Sequence, residues 1–285
     1  MIDFLPRIMI EDAVKLTIQE DLGLGGDATS RAVINADTMG EARINSRQAG
    51  IVAGLDVART AFLLLDPDLK LTLHKQDGDP IENGDTLMTI SGSMQSILSA
   101  ERVALNYLGR LSGIASLTGN MVAAAAPYVP RIACTRKTTP NLRLFEKYAV
   151  RCGGGSQHRL ALDDCLMIKD NHIAANKGDI HATLERARAY AGHTTKIEIE
   201  VDTLEQLTEV LDIGIADIIL LDNMKPETLS KAVEMTGKRA ILEASGGITL
   251  STIQDIAASG VDVISIGALT HSAPCLDIGL DMDLA

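Results

Sequence analysis

"KIEIEVDTLEQLTEVLDIGIADIILLDN", residues 196–223, reads as strand, helix, strand. "KIEIEV" and "ADIILL" are short β-branched runs, and "TLEQLTEVLDIG" between them has helical spacing. The unit then repeats. "RAILEASGG" at 239–247 and "VDVISIGALTH" at 261–271 are two more such runs, separated by "LSTIQDIAASG". The four runs begin roughly 22 residues apart. Alternating strands and helices predict a parallel sheet with right-handed crossovers. So short and regular a period points to a (β/α) barrel rather than a doubly wound sheet, and no dinucleotide fingerprint opens the first unit. Towards the N-terminus, "RIACT" at 131–135 and "CLMIK" at 165–169 read as two earlier strands of the same series.

The first part of the chain has another texture. Residues 9–20 read as an amphipathic helix. "EARINSR", "GIVAGL" and "LKLTLHK" alternate like strands, "DVARTAFLLL" reads as a helix, and "DGDPIENGDTLMTISG" as turn, turn, strand. A long helical region starts at about Met94. Together these predict an α+β module of roughly 110 residues. Residues 111–130, "LSGIASLTGNMVAAAAPYVP", carry no charge, but Ser112, Ser116, Thr118 and Asn120 interrupt them and Pro127 and Pro130 end them. A buried core helix is expected there rather than a membrane span, and with it a soluble protein.

The 285 residues carry 26 Lys+Arg against 38 Asp+Glu, a formal net charge of −12, with three Phe, four Tyr and no Trp. So acidic a chain, so poor in stacking side chains, is not built for nucleic acid. Cys134, Cys152, Cys165 and Cys275 lack the spacing of a zinc or redox motif and suggest buried thiols in a reducing compartment. The N-terminus has no signal-peptide pattern.

Against this acidity, Arg131 to His172 holds eight bases and four acids. That density suits a pocket for a small anion. The six strand runs end in "TRK", "KDNH", "EVD", "LDN", "ASGG" and "IGALTH". In (β/α) barrels such ends converge on one mouth, where the chemistry collects. Any one of them has a bland reading as a surface lysine, a helix cap or a tight turn; six in register favour a site. Ser245–Gly247 and Gly267–His271 suit a phosphate at bare backbone N–H groups. Glu200 and Asp222 could share Mg²⁺, grip ribose hydroxyls, or pair with the rim bases. Arg136, Lys137, His158, Arg159 and Lys169 suit carboxylates. The three glycines of "RCGGGSQHR" suit a backbone that passes close to a ligand or a neighbouring strand.

"TRKTTPNLRLFEKYAVRCGGGSQHR", "IKDNHI", "EIEVDTLEQ", "ILLDNM", "EASGGI" and "SIGALTHSAPCLDIGLD" closely resemble the quinolinate phosphoribosyltransferases, the carboxylating nicotinate-nucleotide pyrophosphorylases. "EDLGLGGDATS", "AGIVAGLDVA" and "ERVALNYLGRLSGIA" extend the resemblance over nearly the whole chain. Ser156-Gln157 departs from it, since many members have Asn before the His. The resemblance implies an N-terminal α/β sandwich followed by a partly closed barrel of about six strands. The boundaries expected are 1–115 and 116–274, with the tail 275–285 a candidate to pack back on the first module. It implies quinolinate and phosphoribosyl pyrophosphate as substrates, nicotinate mononucleotide, pyrophosphate and CO₂ as products, Mg²⁺, and a role in NAD biosynthesis. Arg136, His158, Arg159 and Lys169 would line the quinolinate pocket, with Lys137 beside the reacting groups. Glu200 and Asp222 would face ribose and metal, and Ser245, Gly246, Gly247, Gly267 and His271 would hold phosphate. It further implies a cytoplasmic homodimer or larger assembly in which Arg102 enters a neighbour's site. Two other functions fit parts of the pattern: Schiff-base chemistry at Lys169, and a non-catalytic oxyanion binder.

Overall fold

A computed structural model of the chain describes residues 5–282. In chain order the elements are α1 (Arg7–Leu22), α2 (Ala28–Val33), β1 (Met39–Ser46), β2 (Gly50–Ile51), α3 (Leu55–Leu65), β3 (Lys70–Leu73), β4 (Pro80–Ile81), β5 (Thr86–Ser93) and α4 (Met94–Ala124). Then come β6 (Arg131–Ala133), α5 (Arg143–Cys152), β7 (Leu166–Ile168), α6 (Asp170–Ala175), α7 (Ile180–Tyr190), β8 (Ile197–Val201) and α8 (Leu204–Ile213). The chain continues through β9 (Ile218–Asp222), α9 (Pro226–Thr236), β10 (Ile241–Ser245), α10 (Ile253–Ala258), β11 (Val263–Ser265), α11 (Ala268–His271) and β12 (Ile278–Met282).

Two compact units divide these elements. The first holds the chain up to Leu117, Phe145–Gly154 and the chain from Ala273. Its antiparallel sheet has the order β12-β1-β5-β3. β1 alternates as a half-buried strand should, with Ala42, Ile44 and Ser46 turned inward. Phe62, Met88, Ile90, Ile97 and Leu108 are fully buried in an aliphatic core. On α1 the buried stripe is Ile10, Val14 and Ile18, one residue per turn. "GIVAGL" departs from its expected strand. Only Gly50 and Ile51 pair, because Gly54 takes φ +97° as the N-cap of α3. There Asp77 Oδ1 accepts from Leu55 N at 3.0 Å, satisfying a helix-end donor. The serines of the uncharged stretch on α4 have backbone partners: Ser112 Oγ accepts from Ala53 N at 3.0 Å and Ser116 Oγ from Ile51 N at 2.8 Å. Among the described residues no helix is long and apolar enough to cross a membrane.

The second unit comprises Thr118–Leu144 and Gly155–Ser272. All six expected strands form, in one parallel sheet of order β6-β11-β10-β9-β8-β7. β8, β9 and β10 have five residues each, and β6, β7 and β11 three. The aspartates of "ADIILL" and "VDVISI" tie strand starts together: Asp217 accepts from Ile197 N and Asp262 from Leu242 N, both at 2.9 Å. β6 and β7 do not pair, so the barrel is only partly closed. Instead Ser156 bridges the free edge of β6, its N–H donating to Ile132 O at 2.7 Å while its carbonyl accepts from Cys134 N at 3.3 Å. After the glycine triplet the chain does pass beside a neighbouring strand.

Candidate active site

The C-terminal strand ends of the second unit carry the charged and glycine-rich groups. Lys169 follows β7, and its Nζ donates to Glu200 Oε2 on neighbouring β8 at 2.5 Å. Of the roles open to Glu200 in the sequence, pairing with a rim base is therefore present. An amine engaged by a neighbouring carboxylate in this way is not aimed at a substrate carbonyl, as Schiff-base chemistry needs. Asp222 ends β9 beside Asn223, whose N–H donates to Ser245 O at the end of β10 at 2.8 Å. This stitch needs glycine next: a Cβ on Gly246 would lie 2.0 Å from Asn223 Oδ1, and φ is +100°. At Gly247 a Cβ would meet nothing within 4 Å, so the turn faces open space. At the end of β11, Lys137 Cδ and His271 Nε2 come to 3.0 and 3.3 Å of where a Gly267 Cβ would sit, and Thr270 Oγ1 donates to Lys137 O at 2.7 Å. Lys137, Gly267 and His271 thus converge on one spot.

Three arginines lie near enough for their like charges to act on one another. Burial, and then the like charges of Arg159 and Arg143, push Arg136 below its ordinary value. Arg143 bonds Thr138 Oγ1 and Leu160 O at 3.0 and 3.2 Å, and Arg159 donates to Cys165 O at 2.9 Å. The Nε atoms of Arg136 and Arg159 are buried without a hydrogen-bond partner. Buried donors on like-charged groups call for an anion.

His158 points elsewhere, into the strands. Its Nδ1 accepts from the N–H of Arg159 at 2.8 Å, and its Nε2 lies 3.3 Å from Glu198 Oε1, 3.2 Å from Glu198 Oε2 and 3.6 Å from Glu243 Oε1. Both acids are buried, and burial, followed by the charge of Glu198, raises the Glu243 carboxyl. A cavity of about 1070 Å³ reaches this cluster from the strand starts, where Arg131, Lys196, Ile218, Ile241 and Val263 line it. Glu198 and Glu243 were not among the residues singled out in the sequence. The signal was there: period-two alternation puts Glu198 on the same face as Glu200, and Glu243 on that of Ser245.

Other bases of the Arg131–His172 stretch do not join this cluster. Lys147 is buried on α5 and groups with the first unit, where neighbouring Glu146, also buried, accepts from Arg110 at 2.7 Å. His172 caps α6, its Nδ1 accepting from Lys169 N at 2.9 Å. Arg102 lies on an exposed face of α4 in the first unit. Gln157 is exposed on the segment between the glycines and His158.

The strand ends of this partly closed parallel barrel thus carry cations, carboxylates and an open glycine turn. Residues 27–112 match the N-terminal domain, and residues 114–281 the C-terminal domain, of "Quinolinate phosphoribosyl transferase". The chain belongs to this family. It is 44% identical over 266 residues to the "Probable nicotinate-nucleotide pyrophosphorylase [carboxylating]" of Bacillus subtilis, covering 93% of this chain and 91% of that one. It is 40% identical over 298 residues to the "Quinolinate phosphoribosyltransferase [decarboxylating] 2b, mitochondrial" of Nicotiana tabacum, over 98% of this chain and 83% of that one. The crystal structure of NadC from Streptococcus pyogenes superposes with a TM-score of 0.94 at 40% identity, covering 98% of both chains.

Proposed function

We infer that this protein is a decarboxylating phosphoribosyltransferase of NAD biosynthesis. It joins quinolinate to phosphoribosyl pyrophosphate and forms nicotinate mononucleotide, pyrophosphate and CO₂. Family membership supports the activity. The observation that carries the choice of acid is the arginine cluster, with its two buried, unpartnered Nε atoms. Arg136 and Arg159, with Lys169, receive the pyridine dicarboxylate, and forked guanidinium groups suit its planar carboxylates. Lys137, Gly267 and His271 at one strand end and Ser245–Gly247 at the next hold phosphate. Fixing the pyridine nitrogen in line with the sugar carbon is the larger part of such catalysis. Glu200 and Asp222 face the positive charge that the ribose develops as pyrophosphate leaves. The same two carboxylates, on adjacent strand ends, fit Mg²⁺, which keeps several waters and needs only one or two protein oxygens. When bound, it supplies charge neutralisation for the pyrophosphate.

The direct test supplies phosphoribosyl pyrophosphate with either quinolinate or nicotinate and follows labelled CO₂ from the former. Turnover is expected with quinolinate and little with nicotinate, whose missing carboxylate leaves a buried guanidinium donor without a partner. Comparable turnover of nicotinate, or nucleotide formed from quinolinate without CO₂, refutes the assignment.

We place the enzyme in the cytoplasm as a homodimer or larger assembly. Four free cysteines support a reducing compartment. Ile8, Leu16, Val33 and Met39 of the first unit, each 68–74% exposed, support a subunit contact. In that assembly Arg102 reaches the neighbour's site. Pure Arg102→Ala and Lys137→Ala oligomers are then expected to be nearly inactive, and mixing them with subunit exchange to restore part of the activity. No recovery despite proven exchange removes Arg102 from that site.

A further inference from the structure

The chemistry assigned so far leaves Glu198 and Glu243 without a task. Both are buried, and one oxygen of each, Glu198 Oε2 and Glu243 Oε1, lacks a hydrogen-bond partner. Together with His158 they have the make-up of a metal centre, with donor atoms all within 4.8 Å of one another. The other side of the imidazole argues against a metal. A histidine that binds metal through Nε2 carries its proton on Nδ1 and donates it to a second partner. Here Nδ1 faces a donor, the N–H of Arg159 at 2.8 Å, so the proton must sit on Nε2. That N–H points at Glu198 Oε1, 3.3 Å away on β8, with Glu243 of β10 at 3.6 Å.

The ring is therefore gripped from both sides, by the strands through Nε2 and by the following residue through Nδ1. That following residue is Arg159, whose guanidinium belongs to the cluster assigned to the acid substrate. We propose that Glu198, seconded by Glu243, is a positioning residue: it anchors His158, and through the His158 ring it fixes where Arg159 meets the acid. The segment runs along the gap left by the unpaired β6 and β7, where among the described residues the ladder holds it by the bridge at Ser156, and the grip on His158 adds a second hold. The inference rests on the quinolinate assignment and adds to it residues that never touch substrate.

The test uses the intact enzyme and three variants. Glu198→Ala is expected to raise the KM for quinolinate roughly 10- to 100-fold, the range for losing a hydrogen bond to a charged group, with kcat and the KM for phosphoribosyl pyrophosphate nearly unchanged. Glu198→Gln keeps an acceptor at Oε1 and is expected to recover most of the loss. Should Glu198→Ala fail to fold, Glu198→Met fills the volume without an acceptor and carries the same expectation. An unchanged quinolinate KM, an equal change in all three constants, or a Gln variant as poor as Ala overturns the proposal. Nitrogen-15 NMR of the six histidines reads the anchor without turnover. His158 is expected as the neutral Nε2–H tautomer in the wild type and as a mixture in Glu198→Ala. A wild-type proton on Nδ1 overturns the proposal too. If the wild type does not turn over quinolinate at all, the assignment beneath it fails, and the NMR result still decides whether the anchor exists.

Discussion

An Arg136→Met enzyme is expected to be more heat-stable than the wild type and to use quinolinate roughly 10²- to 10³-fold less efficiently. Both effects have one cause. Arg136 is placed where burial and two like charges disfavour its guanidinium, and its Nε has no acceptor. Without an anion the fold bears that strain, and methionine, similar in length and uncharged, relieves it. With the anion the same charge becomes half of a desolvated pair, and breaking such a pair costs roughly 3–5 kcal/mol, a factor of a few hundred or more. Opposite movement of Tm and kcat/KM is the diagnostic outcome, since stability given up for function is a recurrent feature of active sites. A variant that is less stable and still efficient would mean that Arg136 serves the fold and not the acid. Arg136→Lys is expected to fall in between, because an ammonium keeps the charge and loses the planar fork.

The second large effect lies at the acids. Asp222→Ala is expected to depress kcat by roughly 10²- to 10³-fold, the range for removing one electrostatic contributor to a transition state. Quinolinate binding, measured directly, should stay within a few-fold. The split follows because positive charge develops on the ribose only as pyrophosphate leaves, so an acid aimed there stabilises the transition state more than the bound substrates. Glu200→Ala is the less clean companion. Its Oε2 also holds Lys169 at 2.5 Å, so both kcat and the KM for quinolinate should move. Chelation should stop the wild type if Mg²⁺ shares these carboxylates. Undiminished turnover in Asp222→Ala removes the role.

Much of the barrel was legible because a parallel strand buried on both faces must be a near-continuous apolar run. The runs at Lys196, Asp217, Arg239 and Val261 became strands starting at Ile197, Ile218, Ile241 and Val263. Strand ends are legible for the same reason, since the polar residue that stops a run is the one that emerges at the mouth. Burial of charge was not legible. Counting bases from Arg131 to His172 included Lys147 in the store of charge read as a pocket for an anion, yet it is fully buried on a helix of the first unit. Nor could local pattern show that Glu146 accepts from Arg110, 36 residues earlier. Glu198 and Glu243 were hidden differently, inside runs read as apolar. Only the alternation, followed residue by residue, turns them inward beside His158. "GIVAGL" failed through Gly54, where one left-handed residue turned an apparent strand into a helix start.

The unpaired β6 and β7 have a consequence away from the active site. A sheet that does not close exposes strand edges, and an exposed edge is a template on which another chain can add a strand and aggregate. Two features blunt the hazard here. The outer side of β6 is bridged at Ser156, and both β6 and β7 are only three residues long, whereas β8, β9 and β10 have five. Three residues offer too few backbone groups to hold a foreign strand in register, and edge strands this short are a recognised defence against such pairing. Brevity at the gap thus lets the barrel stay open for the segment that carries His158 and Arg159 without inviting a second molecule into the opening.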